Sequence, residues 1–252
     1  MDAPVAVAAL RAQGLAKRYG ARAALEGVDL EVAAGAAAGL IGANGAGKTT
    51  FIKCALDLCA ADAGGVELFG RPSGRAQARA RVSYLPERFV PPHYLRGREF
   101  LEMTLALAGA RFERARAEAL LAELELAPET LEQPVRQLSK GMTQKLGLAA
   151  CFLAARDLYV LDEPMTGLDP AARVAVKTVL ARLRRDGRAL LFTSHVLADV
   201  EELCATITVL ERGRVRFRGA PAELCARYAE PQLERAYLKC IRSDDRRPAA
   251  RA

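Results

Sequence analysis

The feature that most constrains this chain is the octapeptide Gly42-Ala43-Asn44-Gly45-Ala46-Gly47-Lys48-Thr49, which satisfies G-x-x-x-x-G-K-[ST] at every position. It follows a short apolar strand, Ala38–Gly42, and opens a segment of helical character, Lys48–Leu58. That context is what turns a glycine-rich string into a phosphate cradle. The glycines let successive backbone N–H groups point inward at phosphate oxygens, and the following helix presents its positive end to the same anion. In such a loop Lys48 reaches the terminal phosphates, and the Thr49 hydroxyl is placed to ligate Mg²⁺. A strand–loop–helix of this kind requires an α/β sheet to hold it.

The rest of the chain keeps the strand–helix rhythm. Ala6–Leu15 and Val28–Val32 read as short early strands, followed by strands at Val66–Phe69 and Val82–Leu85. After Pro91-Pro92 the pattern turns helical, with Gly97–Ala110 and Arg111–Leu126 ended by Pro134, then a helix over Gly141–Ala155. Strands Leu158–Leu161 and Ala189–Phe192 alternate with helices Ala171–Leu183 and Val196–Cys204. A closing hairpin, Ile207–Leu210 with Val215–Phe217, turns at Arg212-Gly213; a helix from Pro221 and an Arg-rich tail follow, the last ten residues expected to be disordered. The strand Leu158–Leu161 runs directly into Asp162-Glu163-Pro164. Strand ends of a parallel sheet face the ligand crevice, so Asp162 is placed to hold a metal through water and Glu163 to polarise an attacking water.

Composition narrows the partners. The chain has 252 residues, 51% hydrophobic and 27% charged, an ordinary globular balance that excludes wholesale disorder. With no Trp and 6% aromatics, a base-stacking or lectin-like surface is not expected. The longest apolar runs, Val32–Ala43 and Leu146–Ala155, are too short to span a bilayer, and the start lacks a basic region ahead of an apolar core. The chain is therefore expected to be soluble and to stay where it is made. The six cysteines (54, 59, 151, 204, 225, 240) show no CxxC spacing, and His93 and His195 lie far in sequence from any Cys pair, so buried small hydrophobes are expected rather than zinc ligands or disulfides. His93 reads as structural. The net charge of +7 fits a solvated surface, a membrane-proximal face or nucleic acid; no basic run interleaves with aromatics, so specific nucleic-acid binding is not expected.

Three further segments complete a pattern: Leu138-Ser139-Lys140-Gly141-Met142, Thr166-Gly167-Leu168-Asp169, and Ser194-His195 after an apolar strand. In this order, from about Leu15 to Gly219, the chain resembles the ATP-binding-cassette (ABC) ATPases, the nucleotide-binding subunits of transporters. The resemblance implies a phosphate-loop ATPase core with an antiparallel β subdomain and an inserted α-helical signature subdomain. It places the ATPase domain at residues 1–220, the insert at about 93–155, and a C-terminal helix with its charged tail at 221–252. It also implies ATP and Mg²⁺ as cofactors. Tyr19 falls where the family sets an aromatic ring against adenine, Gly42–Thr49 cradles the phosphates, and Thr50 supports the helix. Asp162 and Thr49 belong to the metal site, Glu163 resembles the catalytic base, and His195 the histidine that contacts the γ-phosphate. Leu138, Ser139, Lys140, Gly141 and Met142 resemble the signature that meets the ATP of the opposite subunit, and Asp169 the loop linking the two sites. A second cassette, most simply a second copy, is implied.

Two departures stand out. Glu87, in Tyr84-Leu85-Pro86-Glu87, occupies the position where the family has Gln, so a carboxylate replaces an amide beside the metal and phosphates; it either ligates the metal or retunes hydrolysis. The signature reads LSKGM rather than LSGGQ. Together with Gln144-Lys145-Leu146-Gly147-Leu148 and Ser194-His195-Val196-Leu197, these features resemble the branch serving exporters of drugs, lipids, polysaccharides or metal-related cargo. The implied partner is a separate membrane-spanning permease, which would hold the subunit at the cytoplasmic face of a bacterial membrane. The segment Phe89–Leu95 is expected to be either the surface that grips it or a buried linker. Two other readings stay open: a soluble ABC ATPase acting on ribosomes or nucleic acid, and a regulatory nucleotide-dependent dimer. A single phosphate loop and a short insert count against the first.

Overall fold

A computed structural model describes residues 7–242. Strands β1 (Leu10–Tyr19) and β2 (Arg22–Val32) form an antiparallel hairpin. β2 is longer than the expected Val28–Val32, and β1 runs on past the expected end at Leu15, because Gly27 and Gly14 sit at register shifts with φ of +68° and +57°. Such bulges bend a strand without ending it, and glycine tolerates the left-handed conformation at little cost. Strand β3 (Ala37–Ile41) leads through the phosphate loop into α1 (Lys48–Ala55). This helix stops short of Leu58: Asp57 turns left-handed at φ 58°, and the Leu58 N–H returns to the Lys53 carbonyl at 2.8 Å, a Schellman-type closure. Strand β4 (Ala63–Leu68) and the two-residue β5 (Arg71–Pro72) complete a four-stranded sheet ordered β2-β1-β4-β5. Helix α2 (Ala76–Arg79), like β5, is too short to leave a period in the sequence.

Strand β6 (Val82–Leu85) precedes the helical region, formed by α3 (Gly97–Leu107), α4 (Arg114–Glu123) and α5 (Lys140–Leu153), with two 3₁₀ turns at Pro128–Leu131 and Val135–Gln137. The chain then returns to the sheet through β7 (Leu158–Leu161), α6 (Pro170–Arg185), β8 (Ala189–Thr193), α7 (Leu197–Leu203), β9 (Thr206–Glu211) and β10 (Arg214–Gly219). These strands form the second sheet, ordered β10-β9-β3-β8-β7-β6, parallel except for β10. The helix expected from Pro221 is in fact two, α8 (Pro221–Tyr228) and α9 (Leu233–Arg242), broken where Ala229 turns left-handed at φ 50°. The expectation of a disordered end concerns residues that lie outside the described ones.

Side-chain alternation explains why the central strands read as continuous apolar runs. In β7, Tyr159 and Leu161 face the core shared with α3–α5, while Leu158 and Val160 face the core shared with α1 and the antiparallel sheet. In β8, Leu190 and Phe192 divide from Ala189 and Leu191 in the same way. A strand buried on both faces has no polar side to show. Phe51 and Ile52 of α1 are wholly buried in the second core, and each fully buried side chain of this kind contributes roughly 1.5–3 kcal/mol. The phosphate-loop helix is thereby fixed between two sheets.

All six cysteines are free; Cys54, Cys151, Cys204 and Cys240 are buried, Cys59 and Cys225 half-buried. Burial pushes the thiols of Cys54 and Cys151 up to about 11, which keeps them protonated and unreactive. Among the described residues no helix is long and apolar enough to cross a membrane.

Gly39 shows how tightly β3 meets α7. A Cβ there would lie 2.7 Å from Val200 Cγ1 and 3.2 Å from Cys204 Sγ. Gly39→Ala is expected to destabilise the fold by about 1–3 kcal/mol through overpacking, read as a lower midpoint in urea denaturation at unchanged slope.

Candidate functional site

Three strand ends converge on the phosphate loop. The carboxyl ends of β3, β8 and β7 lie side by side in the parallel sheet, so Gly42, Ser194 and Asp162 emerge at one edge. The loop is built by close approach. A Cβ on Gly42 would fall 2.3 Å from the Leu210 carbonyl oxygen, and one on Gly47 2.5 Å from that of Ala24, at a φ of +114°. Only glycine fits either position. Gly42 and Ala46 are buried, whereas Ala43, Asn44 and Gly45 are exposed at the lip. The Lys48 ammonium, on a buried side chain, donates to the carbonyls of Gly42 at 2.7 Å and Ala43 at 3.4 Å.

Asp162 is the hub. Its carboxylate accepts from the Thr49 hydroxyl at 2.8 Å on one oxygen and from the Thr193 hydroxyl at 2.7 Å on the other, while being 1% exposed. Among the described residues no ion pair neutralises it. Thr193 does double duty, its hydroxyl oxygen also accepting the Glu163 N–H at 2.8 Å. Glu163 is almost buried and sits left-handed at φ 52°, a conformation costing a side-chain-bearing residue of order 1–3 kcal/mol. Its carboxylate lies 2.8 Å from His195 Nδ1, and the next carbonyl, of Pro164, accepts from Gln144 Nε2 at 3.0 Å. The glutamate is thus held from three sides.

Lys48, Thr49, Asp162, Glu163 and His195 line a cleft of about 600 Å³, with Gly42, Ala46, Thr193 and Gln144 outside its lining. Of the positions expected from sequence, Tyr19, Asn44, Gly45, Gly47, Lys48, Thr49, Thr50, Glu87, Asp162, Glu163 and His195 border it. Tyr19 ends β1, half-exposed, with its hydroxyl 3.5 Å from Cys59 Sγ and Lys17 Nζ 5.6 Å from its ring centre. Glu87 is exposed at the rim. The Tyr84 phenol is pushed up to about 12, first by burial and then by the carboxylates of Asp162 and Glu87, so it stays neutral beside the site.

Leu138, Ser139, Lys140, Gly141, Met142 and Asp169 do not line this cleft. Ser139 caps α5, its hydroxyl accepting the Met142 N–H at 3.2 Å, and Asp169 caps α6 by accepting the Ala172 N–H at 2.9 Å. The two segments abut, since a Cβ on Gly141 would lie 3.4 Å from the Gly167 carbonyl oxygen. In the segment after Glu87, Val90, His93 and Tyr94 are exposed. Pro91 is buried and Phe89 packs edge-on against Phe100 at 5.6 Å, so the segment is anchored at its base and open at its tip.

Sequence reasoning missed Arg22, Ala24 and Arg88 in the cleft wall and Thr193 behind it, and gave Thr166, quoted within Thr166–Asp169, no place in the cleft that it lines. Thr193 had a signal, as the one hydroxyl closing an otherwise apolar strand; Arg22 and Arg88 had none, being surface arginines among many. Thr193→Val keeps the shape but orphans the Glu163 N–H and removes a donor to Asp162. A loss of about 1–3 kcal/mol in denaturant stability is expected for a group left unpaired in a buried site.

Known proteins resemble this chain in sequence and in fold. A family model described as ABC transporter matches residues 25–166. A daunorubicin resistance ATP-binding protein of Streptomyces coeruleorubidus is 39% identical over 222 residues, covering 86% of this chain and 70% of that protein. A Nod factor export ATP-binding protein I of Ralstonia nicotianae is 36% identical, covering 85% and 68%. An ABC transporter ATP-binding protein of Synechocystis is 38% identical, but the chain spans only 57% of its length. A solved ATP-binding subunit of an ABC transporter superposes with a TM-score of 0.82 at 30% identity, over 92% of this chain and 99% of that one. A dimeric bacterial ABC transporter cassette shares the fold with a TM-score of 0.77 at 20% identity, over 84% and 98%. The chain belongs to the ABC transporter family, with the cassette fold of its ATP-binding subunits.

Proposed function

We propose that this chain is the ATP-binding and ATP-hydrolysing subunit of an exporter, driving a separate membrane-spanning permease from the cytoplasmic face. The observation that carries the reading is the meeting, in one cleft, of a cation on the phosphate loop, a Thr49–Asp162 oxygen pair and a Glu163–His195 pair. Each part matches a need of phosphoryl transfer to water: charge on the phosphates, a metal anchor, and a base for the nucleophile.

The residues fit Mg²⁺. Thr49 and Asp162 offer hard oxygen donors 2.8 Å apart, and the buried carboxylate receives only neutral hydroxyl hydrogen bonds. Mg²⁺ keeps several waters and takes few protein ligands, so these two oxygens suffice beside the nucleotide's phosphates. The metal would supply charge neutralisation for the phosphate oxygens, and Glu87 adds a carboxylate at the rim of the same cleft.

The remaining steps belong to the protein. Lys48 leaves the loop carbonyls to meet the phosphates, and the backbone N–H groups of the loop and α1 hold them. Tyr19 offers its ring face to the adenine. Glu163, fixed by Thr193 and His195, accepts the proton of the attacking water at a carboxylate oxygen, while His195 steadies that oxygen and contacts the terminal phosphate.

Ser139–Met142, which stand outside the cleft, are free to face the nucleotide of a second cassette, and Asp169, also outside it, stands on the loop that links the two sites. Two copies then close head-to-tail on two ATP molecules, and hydrolysis reopens them, because the bridging contacts exist only in the closed state. The exposed tip at Val90 and Tyr94 receives the permease, with the signature-bearing helices moving as the pair opens and closes. The export direction is supported by the printed functions of relatives, which include drug resistance and Nod factor export.

Glu163→Gln is expected to bind ATP, accumulate as a dimer on size exclusion with MgATP, and lose about 10²–10⁴-fold in turnover. Sustained multiple-turnover hydrolysis by that variant removes Glu163 as the base. Tagged Glu163→Gln, recovered from detergent-solubilised host membranes with MgATP, should bring a multi-spanning protein in near-equal amount. Recovery of ribosomes, nucleic acid or the dimer alone counts against the transporter reading. Lys48→Ala should weaken ATP binding about ten- to a hundredfold, as expected for losing a charged hydrogen bond of about 1.5–3 kcal/mol; unchanged affinity removes Lys48 from the phosphate site.

A further inference from the structure

Behind the Glu163–His195 pair lies a second, smaller cavity of about 110 Å³, closed by the Thr166–Leu168 loop on one side and by Ser194–Val196 on the other. Its floor is an ion pair between Arg173 of α6 and Asp199 of α7. Asp199 is 5% exposed, and Lys177 Nζ lies 3.8 Å from its second oxygen, itself paired with Glu202. The pair joins two short spans of chain. Arg173 stands one helical turn after Asp169, its N–H bonded to the Asp169 carbonyl at 3.0 Å. Asp199 stands one turn after His195, its N–H bonded to the Val196 carbonyl at 3.2 Å.

Helix α7 needs such a tie. It begins at Val196 with no side-chain cap, a β-branched residue poorly suited to that position, and it is only seven residues long. Leu197, Val200 and Leu203 press it onto the sheet, and at its far end Arg184 of α6 donates to the Leu203 carbonyl at 3.0 Å. At the end beside His195 the guanidinium on a buried carboxylate holds it to α6, because its hydrogen bonds are directional and its geometry rigid.

We propose that Arg173 and Asp199 form a strut that sets His195 relative to the Asp169 loop, making both positioning residues for hydrolysis. Any displacement of the Asp169 loop by a second cassette is then carried through α6 to Asp199 and on to His195. The inference rests on the reading of Glu163 and His195 given above. It supplies a physical route from the Asp169 loop to the histidine paired with the base.

The test uses the full chain with Arg173→Ala, Arg173→Lys and Asp199→Asn. Lys177 still offsets Asp199 when Arg173 is removed, so Arg173→Ala is expected to fold. Expected for Arg173→Ala are a kcat lower by about 10- to 100-fold, the cost of a displacement near 1 Å at a reacting centre, and an ATP Kd within twofold of wild type. Backbone hydrogen exchange should speed up at residues 194–199 while β3 and β7 stay unchanged. Arg173→Lys should recover part of kcat, and Asp199→Asn should match Arg173→Ala. An active wild type whose Arg173→Ala variant keeps kcat within twofold, or loses stability with uniformly faster exchange, overturns the strut alone. A wild type that binds ATP without hydrolysing it overturns the site reading and the strut with it.

Discussion

The Asp162 carboxylate is the interaction on which the rest of the site depends. It sits at the end of β7, buried to 1% exposure, and takes one hydroxyl from the phosphate-loop helix and one from the end of β8. Two hydroxyl hydrogen bonds do not compensate a buried charge fully, since desolvation of a carboxylate costs several kcal/mol after relaxation. The site is therefore built around a negative charge that favours a cation. The same two bonds clamp the ends of β7 and β8 to the phosphate-loop helix, so the anion cradle and the carboxylates cannot drift independently.

Strain and support are arranged around that clamp. Glu163 holds a left-handed backbone, and its peptide neighbours are tied by Thr193 and Gln144. The conformation directs the carboxylate to His195 rather than into the sheet. A residue with a side chain persists there only when its surroundings over-determine it, and these bonds do so. Gln144 comes from α5, the helix that Ser139 caps. One element thus reaches both the base of this cleft and the signature segment outside it.

The motifs were legible because each has a fixed local form. Gly42–Thr49 needs only a strand before it and a helix after it, and both are set by sequence neighbours. Asp162 and Glu163 were visible as carboxylates ending an apolar strand. The early strands were harder. Leu15 read as the end of the first strand and Val28 as the start of the second, and only cross-strand pairing shows that the ladder continues between them to Tyr19 and Arg22. The split of the last helical region at Ala229 comes two residues before Pro231, a helix-breaking signal that the reading of one helix from Pro221 overlooked. Arg22 and Arg88 became cleft residues through the folding of distant segments onto the phosphate loop, which no local pattern records.

By itself, the sequence determined the phosphate loop, the strand–helix alternation and the identity of the acidic pair, because these rest on spacing, periodicity and backbone freedom within a few residues. Tertiary structure alone decided that Thr193 joins Asp162 to Glu163, that His195 Nδ1 meets the Glu163 carboxylate, and that Arg173 reaches Asp199. Each of those contacts spans 26 to 32 positions of chain. Their geometry follows from the order of strands in the parallel sheet, which brings β7 and β8 side by side, and not from any property of the residues taken in sequence.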